Sequence, residues 1–300
     1  MNAVSTSAFY DRSTRNIASL RTRAEGLQGE LARGERLTRS SQDPVAAARL
    51  RALSRADTLA AVDADAANRA ASDLQLTDDA LSGFTNAIAR LQELATQAAT
   101  GTLNPGQRAA IGQELAQINA GLLSLANARD GAGHALFGGE SAGQAYTLDT
   151  SGNAVYAGTA SAGSLDLGDG QSVTRGVTGP EFLNFGTTNL FATIKGLSDA
   201  LQGGVADPAG AARTALTALD SGRSTVATAQ TLVGARLNVI DLATDRASQR
   251  GEARAIEEAA VGGTDIAATV TRLQQTMTVL EASQASFARL SGLSLFDLIR

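Results

Sequence analysis

Three hundred residues with only 4% aromatic and 18% charged side chains leave Leu, Val, Ile and Ala to supply the apolar contacts, which suits helices packed closely along their lengths rather than one aromatic-rich core. A net charge of −5 gives no electrostatic footprint for nucleic acid, and the absence of cysteine removes both a disulfide framework and a thiolate metal site. No run of 18 apolar residues occurs, so no membrane-spanning helix is expected; the opening "MNAVSTSAFYDRSTRNIASL" lacks a basic start followed by an apolar core, so no cleaved signal peptide is expected either.

From Tyr10 the chain alternates between spacings of three and four: Tyr10, Ser13, Ile17, Leu20, Ala24, Leu27, Leu31 and Gly34. That pattern places one seam along a long helix, as in coiled coils. The arginines of this arm (Arg12, Arg15, Arg21, Arg23, Arg33, Arg36, Arg39) are interleaved with Asp11, Glu25, Glu30 and Glu35. Mixed signs of this kind suit a solvated or inter-subunit face better than a nucleic-acid groove. Asp43-Pro44, Asn104-Pro105 and Asp207-Pro208 each set a side-chain acceptor before a proline. Each therefore reads as a helix start, where the acceptor caps free N–H groups and proline loses nothing. Further seams run through Leu81, Phe84, Ile88 and Leu91, and through Ile111, Leu115, Ile118, Leu122 and Leu125.

The middle of the chain changes character. Thirteen of the 31 glycines fall between Gly131 and Leu190, and the period shifts to two. "AYTLDTSGNAVYAG" predicts two short strands around "TSGN", and "SLDLGDGQSVTRG" another pair around "GDGQ". "GAGHALFGG" reads as a helix end running into a tight turn. Helical periodicity returns with Val226, Ala229, Val233 and Ile240. A last seam is read through Ile266, Val270, Leu273, Met277, Leu280, Gln284 and Phe287, on a helix from about Asp265 to Leu290 that spans roughly 40 Å at ~1.5 Å per residue. The two terminal seams are natural partners for each other. Beyond them lies "SGLSLFDLIR", with Leu293, Leu295, Phe296, Leu298 and Ile299 apolar.

An enzyme has little to work with here. His134 is the one histidine, no nucleophile motif surrounds it, and no second histidine or any cysteine can join it around a metal. A structural His134 is the expected reading. Asp166 and Asp169 in "GDG" lack the rest of a calcium loop, and "GAGHALFGG" has no GK[ST] and so is not a phosphate loop. No catalytic group, cofactor or metal is expected. The seams and the apolar tail permit either an intramolecular bundle with a docked tail or association with other subunits. The second is favoured, because the tail adds more apolar surface than one partner helix covers.

Five stretches, in order, carry a resemblance: "STSAFYDRSTRNI" at Ser5–Ile17, "GERLTRSSQDPVAAARL" at Gly34–Leu50, "HALFGG" at His134–Gly139, "VGARLNVID" at Val233–Asp241, and the ending "LSLFDLIR". Together they resemble the flagellin superfamily, and the opening, Asp43-Pro44 and the ending resemble its hook–filament junction branch. Gln42 stands where the family pattern has the first of two aspartates. The resemblance implies a mainly α fold with a small β insert. Residues 1–42 and 262–300 would form an inner coiled-coil domain (disordered in the monomer), 43–135 and 190–261 a helical rod, and 136–189 a small β-rich outer domain.

The same resemblance implies a structural adapter of the bacterial flagellum, exported without a cleaved signal peptide and located outside the cell. Its partners would be copies of itself in a ring, a neighbouring hook-associated protein, flagellin, and an export chaperone on the C-terminal region, with neither nucleic acid nor membrane. The residues expected to make assembly contacts are Ile17, Leu20, Leu27, Leu31, Leu273, Met277, Leu280, Phe287, Leu295, Phe296, Leu298 and Ile299. A filament flagellin is the neighbouring alternative, and a hydrolase built on His134 is the alternative from another class.

Overall fold

The computed structural model describes the backbone of residues 2–168 and 170–297, and the side chains between residues 8 and 290 apart from 169. Three helices come first: α1 (Asn2–Arg33), α2 (Pro44–Ala99) and α3 (Pro105–Ala126). Two antiparallel hairpins follow, β1 (Tyr146–Leu148) with β2 (Ala154–Tyr156) and β3 (Ser164–Asp166) with β4 (Ser172–Thr174). Then come α4 (Gly179–Leu183), a third hairpin of β5 (Asn184–Phe185) and β6 (Thr188–Asn189), and α5 (Leu190–Asp199). Two long helices close the chain, α6 (Pro208–Gly262) and α7 (Ile266–Asp297). The fold is mainly α with small β elements.

All three acceptor–proline pairs begin helices. Asp43 Oδ1 accepts from the Ala46 N–H at 3.0 Å, and Asp207 Oδ1 from the Gly210 N–H at 2.9 Å. Asn104 makes a full capping box: its Oδ1 accepts from Gln107 N at 2.8 Å, while Gln107 Oε1 accepts from Asn104 N at 3.0 Å. Each such cap is worth about 1 kcal/mol against alanine. The first two hairpins close where the glycine-rich turns predict, with Tyr146 opposite Tyr156 and Ser164 opposite Thr174. Asp149 Oδ1 organises the first turn by accepting from Ser151 N and Asn153 N, both at 2.8 Å.

One boundary differs from the expectation. The N-terminal helical arm ends at Ala126, not at "HALFGG". The Asn127 side chain explains the exit: its Nδ2 donates to Tyr146 O and its Oδ1 accepts from Tyr146 N, each at 2.9 Å. A side-chain amide thus pairs with the β1 backbone as a strand would, and the chain leaves the helix to let it.

The residues fall into two compact units, Ala60–Ser248 in one, and everything up to Leu59 together with everything from Gln249 in the other. The Ala60–Ser248 unit holds one continuous core. Leu74, Leu81, Phe84, Ile88 and Leu91 of α2 are fully buried, with Leu115 of α3, Ile194 of α5, and Val226 and Val233 of α6. Three phenylalanines meet at its centre: Phe84 lies 5.2 Å from Phe182 and 6.2 Å from Phe137, and Phe137 lies 4.8 Å from Phe182, measured between ring centroids. Helices α3 and α5 approach closely enough for the buried Ser198 hydroxyl to donate to Gly112 O at 2.8 Å. A side chain at Gly112 would meet Ser198 O at 3.0 Å, so only glycine fits there without a shift.

Removing the central ring tests this core. Phe84→Ala should destabilise the chain by about 3–5 kcal/mol, the usual cost of emptying a packed phenylalanine site. Urea unfolding followed by circular dichroism measures it, and a loss below about 1 kcal/mol would mean that the cluster is not tightly packed.

Candidate assembly surface

The second unit is built from α1, the first turns of α2, the last turns of α6, and α7. Helices α1 and α7 run antiparallel. At one end the Tyr10 hydroxyl donates to Leu290 O at 3.3 Å, and its ring meets Phe287 edge-on with centroids 5.5 Å apart. At the other end Thr264 N donates to Gly34 O at 2.9 Å and Arg36 N to Gly262 O at 2.8 Å. Gly34 sits at φ +71°, the left-handed conformation that closes a helix and that glycine adopts without a Cβ penalty. The two chain reversals are therefore bonded to each other through their backbones.

On α1 the inward residues are Ala24 and Leu27, both buried, with Tyr10, Ser13, Ile17, Leu20 and Leu31 half-buried. On α7 the inward face is not the one the apolar spacing indicates. Thr269 is 3% exposed, Thr276 8% and Leu280 8%, with Leu273, Ser283 and Phe287 half-buried. Ile266 is 64% exposed, Val270 36% and Met277 37%, and Gln284 also faces out. The two columns share Leu273, Leu280 and Phe287 and differ on their flanks. Threonine fills the inner flank because it can satisfy its own hydroxyl: Thr276 Oγ1 donates to Arg272 O one turn back, at 2.7 Å. Of the tail residues, Leu295 and Phe296 fall where α7 is described by its backbone alone, and Leu298 and Ile299 lie outside the described residues.

Ion pairs tie this unit together, and local sequence patterns carry no sign of them. Arg49 reaches both carboxylate oxygens of Glu257, at 2.5 and 2.7 Å, and Arg254 Nε meets Asp57 Oδ1 at 2.5 Å. Partners 208 and 197 residues apart leave no local signal. Arg36 donates to Asp43 Oδ2 at 3.3 Å and to Val261 O at 3.2 Å. Gln42 ties down the loop before α2, where its Oε1 accepts from Thr38 N at 2.9 Å, Arg39 N at 3.1 Å and the Thr38 hydroxyl at 3.2 Å. The Ala46 N–H, with help from Arg36, holds the Asp43 carboxyl below its ordinary value, and the Arg49 guanidinium does the same for Glu257.

His134 belongs to a polar cleft of about 360 Å³ in the Ala60–Ser248 unit, with Asp73, Asp130, Glu140 and Arg175 in its walls. Asp130 Oδ1 accepts from Ala132 N at 2.9 Å and His134 N at 2.8 Å, and its Oδ2 lies 3.3 Å from His134 Nδ1. Burial pushes the Asp130 carboxyl up, yet these donors outweigh it and leave it low. Burial, reinforced by the charge of Asp130, raises Asp73. The arrangement staples a turn, with His134 as one of its clasps. Among the described residues, no group of three His, Cys, Asp or Glu could hold a metal ion, and no helix is long and apolar enough to cross a membrane.

The described residues thus comprise long terminal helices paired antiparallel and, between them in sequence, a helical core with small hairpins. Residues 4–142 match the bacterial flagellin N-terminal helical region. The chain is similar to flagellar hook-associated protein 3 of Escherichia coli strain K12, 28% identical with 98% of each chain covered, and to that of Salmonella typhimurium, 25% identical with 99% of each covered. Its fold is that of the FlgL protein of Xanthomonas campestris (TM-score 0.63, 19% identity, 69% of this chain and 99% of that one). The fold is likewise that of flagellar hook-associated protein 3 from Legionella pneumophila (TM-score 0.62, 16% identity, 75% and 99%).

The depressed carboxylates make a prediction about acid. A group whose folded pKa lies below its unfolded value contributes stability that is complete above the unfolded value and is lost as pH falls through the folded one. For Asp43 and Glu257 that loss lies below about pH 4. The Ala46 amide should therefore lose hydrogen-exchange protection as pH falls below about 4, while Gln107, capped by the neutral Asn104, keeps its own. Equal behaviour of the two amides would show that the Asp43 carboxylate does not hold the start of α2.

Proposed function

We propose that this chain is the subunit that joins hook to filament in a bacterial flagellum, polymerising as a ring between them. The observation that carries the reading is the match to flagellar hook-associated protein 3 over 98% of both lengths. The terminal unit supports it. Among the described residues, none of the largest fully buried side chains lies there; the buried set is mostly Ala24, Leu27, Ala46, Ala47, Leu53, Thr269, Thr276 and Leu280. Burying a Leu- or Phe-sized side chain stabilises by roughly 1.5–3 kcal/mol. A unit holding so few of them gains much of its stability from neighbours, so the terminal pair forms an inner coiled coil that is marginal in the isolated chain and firm in the assembly.

The partners in this reading are copies of the chain, a neighbouring hook-associated protein, flagellin, and an export chaperone on the C-terminal region. Export leaves the N-terminus uncleaved and places the protein outside the cell. No catalysis is assigned: His134 holds a turn, and His134→Ala should leave motility intact.

Immunogold labelling distinguishes the junction from the filament. A single band at the hook end is expected, and decoration along the whole filament would make the chain a flagellin instead. A double change, Leu295→Asp with Phe296→Asp, should block incorporation without altering the melting of the Ala60–Ser248 core, because unpaired carboxylates in an apolar contact cost several kcal/mol each. Secretion has to be measured alongside, since the same tail is the proposed chaperone site. Normal filaments from the double variant would remove the tail from the assembly contacts.

A further inference from the structure

We infer that the polar cleft between α2 and the base of the β3–β4 hairpin is a proton-operated latch: mild acid draws the hairpin base and the 130–141 turn onto α2, and neutral pH slackens them. The latch lies within the Ala60–Ser248 unit and does not rest on the assembly reading above. Three elements wall the cleft. Asp73 stands on α2, Asp130, His134 and Glu140 on the turn, and Arg175 just past the end of β4. Most of these groups are already engaged. Asp130 accepts from the Ala132 and His134 N–H groups and lies against the His134 ring. Gly176 is pinned from behind, because Arg236 of α6 donates to its carbonyl at 2.5 Å. Glu140 lies across the start of β3, so close that a Cβ on Gly163 would meet its Oε1 at 2.6 Å.

Asp73 is the loose member. Its backbone carbonyl accepts from the Thr77 hydroxyl at 2.8 Å, but among the described residues its carboxylate has neither a hydrogen bond nor a salt bridge. With His134 neutral, the carboxylates of Asp73, Asp130 and Glu140 face the single guanidinium of Arg175, so the ionised cleft repels itself. Burial and the Asp130 charge raise the Asp73 carboxyl, while Arg175 and His134 pull the other way. A carboxyl raised in the folded chain makes its ionised form a cost. That cost is present at neutral pH and disappears as pH falls through the folded value, which lies above the ordinary value of about 3.9. Once protonated, Asp73 turns from an acceptor into a donor toward the neighbouring carboxylates, and the repulsion across the cleft ends. A positive charge on His134 acts in the same direction, since it attracts both Asp73 and Asp130. Stronger acid reverses the effect: Asp130 is held low by its donors despite burial, so its turn is released only below the ordinary carboxylate range. The latch is therefore tightest in mild acid.

The test is hydrogen exchange of the full chain, read amide by amide and corrected for the intrinsic effect of pH on exchange. The probe is the Arg175 amide, which donates to Gly163 O at 3.2 Å at the hairpin base. The control is the Ala192 amide at the start of α5, capped by the neutral Asn189 at 2.8 Å. Between about pH 7.5 and about pH 4.5, protection of Arg175 should rise about threefold or more, and that of Ala192 should change by less than about twofold. Asp73→Asn keeps the size of the side chain and removes its titration. In that variant Arg175 should be as protected at neutral pH as it is in the unaltered chain in mild acid, with no further rise. A second measurement needs no variant: the carboxyl resonance of Asp73, followed by nuclear magnetic resonance in the unaltered chain, should titrate with the same midpoint as the rise in Arg175 protection. Flat protection of Arg175, a rise that survives Asp73→Asn, or a midpoint that differs from that of the Asp73 carboxyl would each overturn the latch.

Discussion

Two antiparallel helices can bury only one narrow seam between them, and in α1 and α7 that seam is furnished sparingly. Among the described residues its buried positions on α7 are two threonines and a leucine, and on α1 an alanine and a leucine. Everything else about the terminal unit follows from this shortage. The backbone bonds from Thr264 to Gly34 and from Arg36 to Gly262 fix the far end of the pair, and the Tyr10–Phe287 contact fixes the near one. Between them the helices are held by shape and small side chains, with little apolar area to spare. Exposed ion pairs such as Arg49–Glu257 add register more than stability, because water screens them.

The contrast with residues 60–248 is one of composition before it is one of fold. Among the described residues, all three fully buried phenylalanines lie there, along with most of the large aliphatic side chains that water does not reach. That segment receives the ring-sized groups, whose burial is worth most per residue. The buried positions described in α1 and α7 are Ala24, Leu27, Thr269, Thr276 and Leu280, mostly small side chains that let the backbones approach closely. The division of labour is therefore written into which residues the chain places where.

Much of this was legible in the sequence. The three acceptor–proline pairs started helices because capping chemistry is local and needs no knowledge of the rest of the chain. The first two hairpins could be read from alternation around glycine-rich turns, whereas β5 and β6, two residues each around Gly186, are too short to show a period. The α1 seam was legible since its apolar residues are the ones that turn inward. The α7 seam was not, because Ile266, Val270 and Met277 give the stronger apolar signal while Thr269 and Thr276 take the inner flank. A hydrophobicity pattern weighs side chains by their dislike of water. It does not see that a helix threonine can hide its hydroxyl on its own backbone. The end of α3 was hidden for a related reason, as Asn127 leaves the helix to bond with a strand 19 residues away.

The exchange of columns on α7 has a physical meaning of its own. A sequence shaped only for the paired helices would put its best apolar residues on the inner flank, where Thr276→Leu or Thr269→Val would serve. Instead α7 keeps the weaker set inside and the stronger set outside, at a cost in the stability of the isolated pair. That arrangement suits an inner seam that guides the helices into register more than it holds them by apolar burial. A pair that is too stable alone would resist being reshaped by its neighbours, and a pair with no seam would present no surface for them to find. The threonine flank sits between those limits.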